Sequence, residues 1–114
     1  MTIGAQNPQD ALAQRLRDLL ASRQSVREVR MFGGLSFMVD DRIVVAARQD
    51  GDLLVRTDPA AYDELLRRGA EPARIGEHRR MGRGWLTVPY PRIQDDADLV
   101  YWVNVGIDSR KKPT

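Results

Sequence analysis

The sequence predicts an α+β fold, an antiparallel sheet with three helices packed against it. Three observations lead there. Apolar residues recur at helical spacing in separate stretches near the start, the middle and the end of the chain. Between the first two of these, apolar and polar residues alternate as in strands, interrupted by turn-forming pairs. The resulting order of helix, strands, helix, strand, helix suits helices laid on an antiparallel sheet. With 114 residues, 42% of them hydrophobic and 30% charged, the chain can bury one modest core, so residues 1–114 are read as a single domain. Residues 1–7 and 110–114 are expected to be flexible.

The first helix starts near Pro8, where Asn7 can cap it, proline suits the first helical position and Asp10 places negative charge in the first turn. Leu12, Leu16, Leu19 and Leu20 then form one apolar stripe. After Ser25 the pattern changes to alternation, with Val29 and Met31 on one face and Glu28 and Arg30 on the other. Leu35, Phe37 and Val39 continue it as a second strand that stops at Asp40-Asp41, and Ile43 to Arg48 returns from that turn. Gln49-Asp50-Gly51-Asp52 is the strongest hairpin signal, because Asp-Gly supplies positive φ angles, and Leu53 to Thr57 follows as a strand.

Asp58-Pro59 repeats the cap-then-proline signature before a short helix carrying Tyr62, Leu65 and Leu66 and ended by Gly69. Residues 70–84 read as irregular and basic. Trp85 to Val88 is the last strand, closed by Pro89 and Pro91. Asp95 can cap a final helix in which Leu99, Trp102, Val103 and Gly106 share a face.

Composition narrows the function. Lys+Arg of 18 against Asp+Glu of 16 leaves only +2, so global charge gives no case for nucleic acid. The absence of cysteine excludes disulfides, thiolate metal sites and thiol nucleophiles. The first ten residues lack a signal-peptide pattern and no apolar run reaches membrane-spanning length, so a cytoplasmic protein with no membrane contact is expected. No cofactor motif is present and none is expected.

Three stretches could carry chemistry. Gly33-Gly34, between Phe32 and Phe37, lacks the helix start and lysine of a phosphate loop, and such glycines within a strand pattern mark a bend or bulge. Phe32 and Phe37 are expected on the packed face. Arg74, Arg79, Arg80 and Arg83 lie close to His78 and Trp85, and arginines beside an aromatic can hold phosphates and stack on bases. A solvated connection is the plainer reading, and His78 has no second imidazole with which to share a metal. Asp95-Asp96-Ala97-Asp98 lacks the ligand spacing of a calcium loop and fits a helix N-terminus. Trp85 and Trp102 are expected as core anchors.

Met31-Phe32-Gly33-Gly34, the apolar hairpin after it, the Asp50-Gly51-Asp52-Leu53 turn and the Asp58-Pro59 helix start closely resemble the N-terminal domain of the TfoX/Sxy family. The likeness continues more weakly through Met81-Gly82-Arg83-Gly84-Trp85 and the Asp-rich helix with Trp102, covering about Val26 to Ile107. It implies a secretion-chaperone-like α+β domain and a link to bacterial regulators of natural competence. Those longer regulators add a C-terminal helical domain, so this chain is read as the stand-alone N-terminal domain. The family offers no catalytic residues.

The expected function is a non-enzymatic protein-interaction module tied to transcriptional or competence regulation, with an unidentified protein partner and a homodimer as one arrangement. For the homodimer, Ile43 to Ala46 supply apolar surface on both faces of a strand, and Val44 is expected at the contact. The alternative is direct nucleic-acid binding through the basic 74–85 loop. An enzyme ranks last, because one histidine, no cysteine and no acid/base pair leave few catalytic candidates. An exposed apolar patch would favour the first reading, a contiguous arginine patch the second and a deep polar pocket the third.

Overall fold

Asn7 starts the first helix, α1 (Pro8–Leu20), its side-chain oxygen accepting the Asp10 N–H at 2.7 Å. The computed structural model describes residues 7–31, 33–75 and 79–110. Leu12, Ala13, Leu16 and Leu20 are buried and Leu19 lies at the margin of the same stripe. Asn7, expected in a flexible end, is therefore a working cap.

Strands β1 (Val26–Met31) and β2 (Gly34–Val39) form a hairpin in which Met31 pairs with Gly34, so only residues 32 and 33 connect them. Gly33 has φ +75°, a backbone conformation that tight turns need and glycine adopts without strain. The double glycine thus lies between the first two strands, the place expected to bend or bulge, and it forms the hairpin turn and the start of the second strand. The expected packing of Phe32 lies outside the described residues. Asp40 and Asp41, both at positive φ, make the next two-residue turn into β3 (Arg42–Ala47). The Asp50-Gly51 turn, with Gly51 at φ +91°, leads to β4 (Leu53–Arg56).

Asp58 accepts the Ala60 N–H at 3.0 Å and opens a 3-10 turn, Pro59–Ala61, that runs into α2 (Tyr62–Arg67). Gly69, at φ +108°, ends it. The stretch expected to be irregular holds three two-residue strands: β5 (Glu71–Pro72), β6 (Arg74–Ile75) and β7 (Arg79–Arg80). After β8 (Trp85–Val88) and a 3-10 turn at Tyr90–Ile93, α3 (Asp96–Asp108) is the last described element. Asp95 occupies the N-cap position without a side-chain cap bond, while Asp96 pairs with Arg15 of α1 at 3.0 Å. Arg110, expected in a loose tail, pairs with Asp40 and donates through Nε to the Ile107 carbonyl at 2.9 Å.

The main sheet has six strands in the order β1-β2-β3-β4-β8-β5, every neighbouring pair antiparallel. The strands β6 and β7 form a separate ladder. Helices α1 and α3 lie on one face, over β2, β3 and β4. Under them Leu35, Phe37, Val45, Leu53, Val55 and Leu86 alternate inward and join the helical leucines in one core, as burial of apolar surface requires.

A bulge interrupts the β2–β3 ladder: Met38 pairs with Ile43 but Phe37 pairs with Val45, leaving Val44 as the extra residue. Val44 and Val45 are both fully buried in the core as a result. Val44, expected at a contact between two copies, is instead covered by the helices of its own chain.

Candidate functional site

The opposite face of the sheet carries no described helix. Strand pairing lines up Val29, Ser36, Ala46, Leu54 and Thr87 across five strands on this outer face. Next to that row lie Met31 and its partner Gly34. The β1 apolar pair, Val29 and Met31, is half-buried here and not in the helix-covered core, while Glu28 and Arg30 point to the helix side.

Gly34, Ser36 and Ala46 are buried yet small, so the middle of this face sinks into a groove whose cavity measures about 360 Å³. Met31, Ile43, Leu54, Met81 and Trp85 supply its apolar walls. Arg48, Gln49 and Asp50 border one end. Concave, mainly apolar sites with few polar groups are the usual form of a binding pocket, and this volume falls in the ordinary range.

Trp85 is therefore not a core anchor. It is half-exposed on the groove wall, with the Arg56 guanidinium over its ring at 5.3 Å. Trp102 is different: only 4% exposed, it belongs to the core beneath α3. Met31, Gly33 and Gly34, singled out as a structural motif, also line the groove.

The structure divides the arginine loop. Arg74 and Arg80 face each other across the β6–β7 ladder, and Arg79 sits opposite Ile75. All three arginines are exposed. Arg83 is elsewhere: it donates to Asp63 of α2 at 3.1 and 3.4 Å and stacks over Tyr62, 4.8 Å from the ring centre. Arg48, to which the sequence assigns no role, lies beside the ladder. Arg48 donates through Nη2 to the Arg74 carbonyl at 3.0 Å, joining the β6–β7 hairpin to the groove's end. The signal that could have revealed the floor was the alternate spacing of Gly34 and Ser36, two small residues on one face of one strand. Glu77 and His78 lie outside the described residues.

Among the described residues two carboxylates have displaced acidities, neither in the groove wall. Glu28 accepts from Arg17 at 2.7 and 2.9 Å, and this ion-paired hydrogen bond holds its pKa below the ordinary value. Asp52 is pushed up by burial, against the opposing effect of the Tyr90 N–H that it accepts at 2.7 Å. Among the described residues, no group of three or more His, Cys, Asp or Glu side chains could hold a metal ion. No described helix is long and apolar enough to cross a membrane.

Fold and groove together define a small α+β domain with one face of its sheet closed by helices and the other hollowed. Residues 18–109 match the TfoX N-terminal domain, and the chain belongs to that family. No curated protein matches the chain.

Proposed function

We propose that this domain is a non-enzymatic protein-interaction module of the cytoplasm, linked to transcriptional or competence regulation, with the hollowed sheet face as its docking surface. The observation that carries this reading is the groove itself: Met31, Ile43, Leu54, Met81 and Trp85 surround a floor of small residues. Apolar surface of this kind gains free energy when a partner removes it from water. Membership of the TfoX N-terminal domain family supports the regulatory link.

The test is to place a charge on the wall without touching the core. Leu54 is half-buried on the outer face, so Leu54→Arg is expected to fold and melt within a few degrees of wild type. Proteins retained by the wild-type chain from a bacterial cytoplasm should be lost from the variant. Equal retention by the two would show that docking occurs elsewhere. Light scattering of both chains at micromolar concentration shows whether a second copy is among the partners.

Direct nucleic-acid binding is the second reading, and one observation favours it: Arg74, Arg79 and Arg80 share one exposed ladder. Such binding must weaken steeply with salt, by a log–log slope of about 0.9 per phosphate on duplex DNA. Arg79→Ala with Arg80→Ala would then reduce both the affinity and the slope.

A further inference from the structure

The docking face has a chemical preference that follows from what surrounds it. We infer that the groove takes an acidic peptide segment, one that seats a large apolar side chain on the Gly34, Ser36 and Ala46 floor and sets flanking carboxylates against arginines at the groove's end. This inference rests on the docking reading above.

Shape comes first. Ser36 and Ala46 are cross-strand partners and Gly34 lies two residues before Ser36 on the same face, so three adjacent positions contribute almost no side-chain height. A methyl group at Gly34 would already come within 3.3 Å of the Ala47 carbonyl oxygen and 3.9 Å of the Ala46 Cβ. The hollow of about 360 Å³ has room for a large side chain and part of its neighbour. Met31, Met81 and Trp85 give it walls that are polarizable and adaptable, the kind of surface that moulds to an inserted aromatic or long aliphatic group.

Charge chooses the flanks. Arg48 borders the groove, and among the described residues its guanidinium makes one hydrogen bond, to the Arg74 carbonyl, of the five N–H groups it carries. That bond fixes the planar fork at the groove's end, a geometry suited to paired acceptance by a carboxylate. Arg56 lies over Trp85 on the groove wall, and Arg74, whose carbonyl holds Arg48, is exposed together with Arg79 and Arg80 on the β6–β7 ladder. The one acid among the lining residues is Asp50, whose Oδ1 accepts the Asp52 N–H at 3.0 Å in the hairpin turn. Within the lining Arg48 and Asp50 balance, and beyond it Arg56 and the three ladder arginines outnumber Glu71, the acid that β5 pairs with Thr87 on this face. A basic or neutral segment would leave these arginines without matching charge, whereas an acidic one is steered to them.

A random peptide library displayed on phage and selected on the full chain tests this directly. Enriched peptides are expected to carry a large apolar residue flanked by Asp or Glu. The leading sequence, made synthetically and followed by fluorescence anisotropy, should lose about tenfold or more in affinity for Ala46→Leu, which fills the floor. Leu54→Ser should lose affinity too if Ala46→Leu melts below wild type. Arg48→Gln should cost about fivefold to tenfold, and replacing the peptide's acids by amides should cost a similar factor that is not additive with Arg48→Gln. Neutral or basic peptides that still depend on Ala46 and Leu54 would overturn the acidic preference and leave the docking face standing. Peptides insensitive to both substitutions, with amide shifts mapping to another surface, would overturn the docking face as well. Failure to enrich any sequence, or displacement of the peptide by a short oligonucleotide at physiological salt, would overturn the inference.

Discussion

Gly106 of α3 rests on the main-chain carbonyl of Val44 in β3. A methyl group at Gly106 would collide with the carbonyl oxygen and lie 3.0 Å from its carbon and 3.1 Å from Val45 Cγ1. The bulge that turns Val44 inward and the glycine that lets the helix approach it are two halves of one contact.

Gly106→Ala should therefore reverse the usual sign of its substitution. In an open helix interior alanine is favoured over glycine by about 1 kcal/mol. Here, overpacking against main chain is expected to lower stability by about 1–3 kcal/mol, seen as a lower urea midpoint at unchanged slope. Asn104→Ala, exposed on the same helix, should stay within about 0.5 kcal/mol of wild type. A stabilised Gly106→Ala would show that α3 does not seat on the bulge.

The two turn glycines should respond differently. Gly33→Ala forces alanine to φ +75° and is expected to cost about 1 kcal/mol or more. Gly34→Ala meets no positive φ. Its added methyl lies at 3.3 Å from the Ala47 carbonyl oxygen on the groove floor, so it should alter binding at the groove more than Gly33→Ala does. Thermal melting and peptide titration of the pair separate the two effects.

Trp102→Ala, at 4% exposure, should cost about 3–5 kcal/mol and leave the domain close to unfolding. Trp85→Ala removes a half-exposed wall and should cost clearly less while abolishing groove binding. Equal losses of stability would return Trp85 to the core.

Glu28 and Asp52 predict opposite pH dependences. The Glu28 pKa is lowered in the folded state, so its contribution is present above the unfolded carboxylate value and disappears as pH falls through the folded one. Glu28→Gln should therefore be less stable than wild type at neutral pH, by no more than about 1 kcal/mol because the pair is exposed, and equal to it in acid. The Asp52 pKa is raised, so ionisation disfavours the fold as pH rises through the carboxylate range. Asp52→Asn keeps an oxygen for the Tyr90 N–H and should gain on wild type over that rise. Urea midpoints across the acidic range test both.

Local chemistry made much of the fold legible. Asn7-Pro8, Asp58-Pro59 and Asp50-Gly51 carry their own caps and turns, and the leucine stripe of α1 needs no tertiary information. The short strands β5, β6 and β7 were not legible, because two residues cannot show an alternation. Val29 and Met31 alternate as a core-facing pair would, yet which face of a sheet receives the helices is decided by connections far along the chain. The same holds for Trp85 and Trp102: composition marks both as large apolar residues, and only the register of β8 against β4 puts one on the open face. The groove floor needed that register too, since Ser36 and Ala46 meet only through the β2–β3 pairing.

The strand order also sets a timetable for synthesis. The turns from β1 through β4 are short, so those four strands can pair as they leave the ribosome. β5 follows soon after in sequence but has no neighbour except β8, which must enter between it and β4. α3, which closes the core over Val44, comes later still. The nascent chain therefore carries a meander with its helix-facing apolar side partly uncovered until residues past Val88 have emerged. Closure of Leu53 on Val88 is the long-range step on which the rest of the domain waits.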